Sequence, residues 1–81
     1  MPLFFFHIYE DFEFTDEQGI DMVDEAAARV AALAGARGMM SEQVKKGHLS
    51  LHHRIEVEDE DGGAILTLPF GDAVVIETEA A

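Results

Sequence analysis

The stretch EAAARVAALAGARGMMSEQVKKGHLSLHHRIEVEDEDGGAILTLPF, residues 25–70, decides the fold, because its apolar spacing changes from a helical to an extended period at Gly47. Up to that glycine, Ala26, Val30, Leu33, Met40 and Val44 recur near the helical period, and only Gly35 and Gly38 lack helix propensity. Asp21 or Asp24 can cap the amino end, with Glu25 placing further negative charge there, while Lys45, Lys46 and Gly47 form the stop. The two inner glycines mark either a close approach of the helix backbone to a sheet or a break near Arg37. Past Gly47 the period is two. Leu49, Leu51, His53, Ile55 and Val57 share one face of a strand, and Ser50, His52, Arg54, Glu56 and Glu58 share the other. Asp59 to Gly63 turns, and Ala64 to Phe70 returns as a strand whose Pro69 places its end at a sheet edge. Gly71 and Asp72 turn again, and Ala73 to Ile76 is a short last strand or an extended tail.

Upstream, Leu3 to Tyr9 is an aromatic and β-branched run with strand composition. Phe4, Phe6 and Ile8 point to one face, and Phe5, His7 and Tyr9 to the other. Bulk on both faces suits a central strand, or one whose second face meets another chain. A hairpin across Glu10 and Asp11 leads to Phe12, Glu13 and Phe14, and Thr15 to Gly19 follows as a polar loop. The core is expected to rest on Phe4, Phe5, Phe6, Phe12, Phe14 and Phe70. These elements predict an α+β fold: an antiparallel sheet of about four strands with one main helix packed on one face, in the order β-β-α-β-β. Residues 1–81 read as one small domain.

Composition narrows the function classes. The 81 residues contain no cysteine, and 5 Lys and Arg stand against 17 Asp and Glu, a net charge of -12. Disulfides and cysteine-ligated zinc are therefore excluded. The apolar run Leu3 to Ile8 is far short of the roughly 20 residues that span a bilayer, and no basic segment precedes it. No membrane partner is expected, and a cytoplasmic setting is. Acidity this strong also opposes nucleic-acid binding, which requires Lys and Arg against phosphates. All five cations nevertheless lie within residues 29–54, beside the single acid Glu42. Such polarity can steer an anion or the acidic end of another copy, or merely make the chain self-compatible.

Chemistry-bearing patterns are sparse. His7, His48, His52 and His53 are the only candidates for metal ligation or proton transfer near neutral pH. On a strand, His52 and His53 point to opposite faces and cannot share one ion, and His53 reads as a partly buried residue between Leu51 and Ile55. The acidic run Glu56 to Gly63 fails as a calcium loop. Aligning its glycine on Gly62 puts Val57 in the first ligand position and Leu68 in the twelfth, where a glutamate is needed. Glu56 and Glu58 share an exposed face, and Ser41 and Ser50 have no triad context. No catalytic residue, metal site or cofactor is expected. The residues left as candidates are Phe5, His7 and Tyr9 for an interface, and Lys45, Lys46, His48 and His52 for contact with a ligand or anion.

Met1, Pro2, Phe5, Phe6, His7, then Glu17 and Gly19, then Asp24 and Ala28, and finally Leu66 to Phe70 stand in the order found in a family of small bacterial domains of unknown function, which this chain resembles over nearly its whole length. It departs from that pattern at the short Glu10–Asp11 turn, and at Gln18 where a further acid is usual. The resemblance implies no activity. At the level of fold alone, a hairpin, an acidic loop and an alanine-rich helix also look like the small antitoxin domains with a degraded ribonuclease-H-like core. The expected function is a protein-interaction module that forms a homodimer, with another protein as a further candidate partner. The alternatives are an antitoxin-like binder of a basic protein and a histidine-based metal or small-ligand module.

Overall fold

The computed structural model describes residues 1–79. Five strands form one sheet: β1 (Leu3–Tyr9), β2 (Glu13–Phe14), β3 (Ile20–Asp21), β4 (Arg54–Asp59) and β5 (Ala64–Pro69). A single helix, α1 (Glu25–Lys45), joins the first three to the last two, and a 3-10 turn at Phe70–Asp72 follows β5. All pairings are antiparallel. The central strand is β1, paired to β4 on one side and to both β2 and β3 on the other. The α+β class and the helix packed on an antiparallel sheet are thus as the sequence predicts. The extra strand, β3, lies just past the polar loop, where Ile20 stands opposite Phe4 and Asp21 opposite Leu3. Two residues are too few to carry a period, so the alternation that marks longer strands is absent there.

Register sorts the side chains. Phe6 opposes Val57, and Ile8 opposes Ile55, while Leu66 and Leu68 oppose the same two on the far side of β4. Together with Phe4 these residues make the apolar face under α1. Asp24 caps α1 by accepting the Ala27 N–H at 2.9 Å, and the helix runs unbroken through Gly35 and Gly38. At its far end Gly47 adopts a φ of 90° and donates to the Val44 carbonyl, leaving the helix as the sequence predicts.

The helix buries Met40 and packs Leu33 against the core as expected, but the rest of its buried stripe differs from the one expected. Ala28, Ala32, Ala36, Met40 and Gln43 face the sheet, whereas Val30 and Val44 are 67% and 59% exposed. Three alanines at spacing four let the helix axis come close to the sheet, so the bulk of the core is supplied by Phe4, Ile55, Val57, Leu68 and Phe70. Two further expectations are corrected, and one open alternative is decided. Phe12 and Phe14 are exposed at 73% and 54%, because β2 is a two-residue edge strand on the side of β1 away from β4 and β5, which α1 covers. The strand predicted from Leu49 starts only at Arg54, since Leu51 and His52 turn and the Leu51 carbonyl is taken by Gly71 N–H. After the 3-10 turn, Ala73 to Ile76 contains no strand; Ala73 is buried, and its carbonyl accepts from Arg37 Nε at 2.8 Å.

Candidate functional site

On the sheet face away from α1, the loop after β2 folds back over the strands. Asp16 fills the gap along β1 between β2 and β3. Its Oδ2 accepts Phe6 N–H at 3.1 Å, and its Oδ1 accepts Gln18 N–H at 3.1 Å and Gly19 N–H at 3.0 Å. The Gly19 bond holds the Asp16 carboxyl below its ordinary value, against the opposing effect of partial burial, and the Phe6 and Gln18 bonds add to it. Gly19, at φ 75°, sits against the Phe5 ring so closely that a Cβ there would lie 3.0 Å from Phe5 Cε1. His7 is 8% exposed, its Nδ1 accepting Asp16 N–H and its Nε2 3.6 Å from Glu58 Oε2. Tyr9 lies under the Arg54 guanidinium at 4.1 Å, and Arg54 Nε donates to Glu56 at 2.7 Å. Desolvation first, then Glu56 and Glu13, push the Tyr9 phenol upward. The three residues expected at an interface therefore share the outer face, and each meets a neighbour in its own chain.

The face under α1 is covered unevenly. The helix packs across β4, β5 and the 3-10 turn, and Arg29 Nη2 ties it to the Ile65 carbonyl at 2.9 Å. With the Arg37 bond to Ala73, both guanidinium ties lie on the β5 side. On the β1 side Phe6, Ile8, Ile20, Met22, Ala31, Gly35, Met39 and Ile55 line an apolar trough of about 210 Å³. Ile20 remains 50% exposed there.

Met39 also belongs to a second depression, so the two abut along the helix. This cleft, of about 280 Å³, is lined by Glu10, Asp11, Met39, Glu42, Gln43, Lys46, His48 and His53. His53 is 5% exposed and stands edge-on to Phe70. Gln43 Oε1 accepts Ser50 N–H at 2.8 Å, which turns the Gln43 amide nitrogen toward His53 Nδ1 at 3.2 Å. Nδ1 thus accepts, and the His53 proton sits on Nε2. That Nε2 is buried and has no hydrogen-bond partner among the described residues; Asp11 Oδ1 is 3.6 Å away, and Glu10 Oε2 lies 3.7 Å from Nδ1.

Of the residues expected to meet a ligand, Lys46 and His48 line this cleft. Lys45 instead pairs with Glu42 at 3.1 Å on the surface, and His52 stands edge-on to His53 at 4.8 Å without lining the cleft. Glu10, Asp11 and Gln43 escaped the sequence reading. The first two look like ordinary turn residues, and Gln43 lies seven residues past Ala36 and three past Met40, on the alanine stripe, which is the signal the sequence offers for it. Among the described residues, no three His, Cys, Asp or Glu gather closely enough to hold a metal ion, and no helix is long and apolar enough to cross a membrane.

The fold defines a small α+β domain with one helix set off-centre on an antiparallel sheet. Residues 3–71 match the domain of unknown function DUF6894, and the chain belongs to that family. No curated protein and no solved structure matches it.

Proposed function

We propose that this chain is a non-catalytic protein-interaction domain, and that it docks an amphipathic, basic segment of another protein in the trough beside α1. The observation that carries this reading is the off-centre helix, which leaves Phe6, Ile8, Ile20, Met22 and Met39 in an uncovered apolar channel. Exposed apolar side chains in a connected trough favour a partner that supplies anchors at helical or extended spacing. Charge supports a basic occupant over a second copy. The molecule carries -12, Glu10, Asp11 and Glu42 stand in the cleft that abuts the trough, and two such rims repel each other. A homodimer through Phe5, His7 and Tyr9 has less support, because the loop at Asp16–Gly19 already covers part of that face.

The test is a titration of isotope-labelled protein with a synthetic amphipathic peptide of about five helical turns, leucine along one face and lysine along the other. Amide shifts are expected at Phe6, Ile8, Ala31, Gly35 and Met39, and Ile8→Glu or Met39→Glu abolishes them. Equal binding of a charge-matched peptide without leucine overturns the trough as the docking face. Light scattering over a concentration series reads self-association in the same samples, and a dimer whose interface shifts map to Tyr9 and Glu56 restores the outer-face reading.

A further inference from the structure

We infer that the cleft at the end of the trough is a receptacle for a guanidinium group, the arginine side chain of the docked segment. This rests on the trough as docking face and specifies which residue the segment carries at that end. The cleft holds three carboxylates, Glu10, Asp11 and Glu42, against the single ammonium of Lys46, with His48 beside it. Glu42 shares a surface pair with Lys45, whereas neither Glu10 nor Asp11 meets a Lys or Arg among the described residues.

The buried histidine supplies the second observation. Because Gln43 fixes His53 Nδ1 as an acceptor, the Nε2–H is a donor enclosed in protein and left without an acceptor among the described residues. An orphaned buried donor is costly, and a carboxylate oxygen, Asp11 Oδ1, stands 3.6 Å from it. Asp11 is 86% exposed on the hairpin tip, so its carboxylate is free to swing inward. A planar guanidinium presents parallel N–H donors that bridge two carboxylates. Seated between Glu10 and Asp11, it draws the Asp11 carboxylate inward, where one oxygen accepts from the guanidinium and the other from His53 Nε2–H. The ligand thereby completes a hydrogen bond that the free protein lacks.

Other occupants fit less well. A metal ion would need the Nε2 lone pair, which the Gln43 hydrogen bond replaces with a proton, and no ligand triad is present among the described residues. An anion would face three carboxylates. A lysine ammonium neutralises charge but is a point donor and bridges less well than the fork of an arginine.

The experiment uses the whole chain and three versions of the amphipathic peptide that differ only at one terminal residue: arginine, lysine or norleucine. The arginine peptide is expected to bind roughly tenfold more tightly than the norleucine peptide, a gain typical of a charge-assisted bidentate contact, with lysine between them. Asp11→Asn removes the arginine advantage, so that the arginine and norleucine peptides bind the variant equally, and the His53 Nε2 proton moves downfield only in the parent with arginine bound. If all three peptides bind equally, the receptacle is refuted and the trough survives. If none binds, the trough reading fails, and ethylguanidinium alone at millimolar concentration becomes the probe. Absence of shifts at His53 and Asp11 under that probe overturns the receptacle too.

Discussion

The main-chain N–H of Asp16 donates to His7 Nδ1 at 3.0 Å across the open edge of β1, while the side chain of the same aspartate accepts the Phe6 N–H at 3.1 Å. One residue thus does for β1 what a continuous edge strand would have done between the two short strands β2 and β3. It also fixes His7 as the Nε2–H tautomer, with that proton toward Glu58. The outer face of the sheet is organised around this contact, and a partly buried strand edge would otherwise leave Phe6 N–H unpaired.

Asp16→Asn is therefore expected to destabilise the fold by about 1–2 kcal/mol, because three backbone donors lose a charged acceptor. The effect depends on pH with a definite sign. The carboxyl is held below its ordinary 3.8, so its contribution is complete above that value and disappears as pH falls through the lower folded-state value. Urea unfolding of both proteins at neutral pH and at successively lower pH checks this: the gap between them should narrow only in the acid range. A gap that stays constant down to the acid limit contradicts it.

Two glycine substitutions should have opposite signs. Gly19 combines a φ of 75° with a Cβ position 3.0 Å from the Phe5 ring, so Gly19→Ala is expected to cost roughly 1–3 kcal/mol. Gly38 lies within α1 with nothing within 4 Å of its Cβ position, so Gly38→Ala should stabilise by about 0.5–1 kcal/mol. Thermal melts of the two variants beside the parent separate them by sign alone.

The alanine seam makes a third case. Ala32 is 1% exposed between helix and sheet, and Ala32→Leu has no room for its added bulk without pushing α1 outward, at about 1–3 kcal/mol. Val30 is 67% exposed, and Val30→Ala is expected to be neutral or slightly stabilising through helix propensity. The reverse order, with Val30 the sensitive position, is what the hydrophobic spacing of the sequence predicts, so denaturation of this pair decides which stripe faces the sheet.

That contrast shows what was legible in the sequence and why. The switch of period at Gly47, the Asp24 cap and the apolar alternation of Ile55 and Val57 are local signals, and they fixed the class and the order of the long elements. The buried face of α1 was legible only at Met40 and Leu33, since alanine occurs all around the helix and the larger Val30 and Val44 drew the rest of the stripe to the wrong side. Leu49 and Leu51 continue the alternation of β4 past its real start although both are exposed, because a turn and a strand can share a period over a few residues. For the site, His53 reads as a structural histidine and is buried as expected, but its surroundings come from Gln43 on the helix and Glu10 and Asp11 on the first hairpin. No sequence spacing links those three segments; only the pairing of β1 with β4 brings the hairpin tip to His53.

Gln43 is the residue on which that arrangement turns. Its Oε1 holds Ser50 N–H and its amide nitrogen reaches His53 Nδ1, so one side chain secures the loop after α1 and selects the imidazole tautomer. Gln43→Leu keeps much of the volume but leaves a part-buried backbone donor and a buried ring nitrogen without partners, which is expected to cost about 1–3 kcal/mol. The proton on His53 is then no longer confined to Nε2. Glu10 Oε2, 3.7 Å from Nδ1, offers an acceptor to the other tautomer once the amide is gone. Nitrogen-15 spectra of the imidazole ring should therefore show a single Nε2–H form in the parent and a mixture in the variant. An unchanged tautomer with unchanged stability would mean that the Gln43 bond does not set the state of His53.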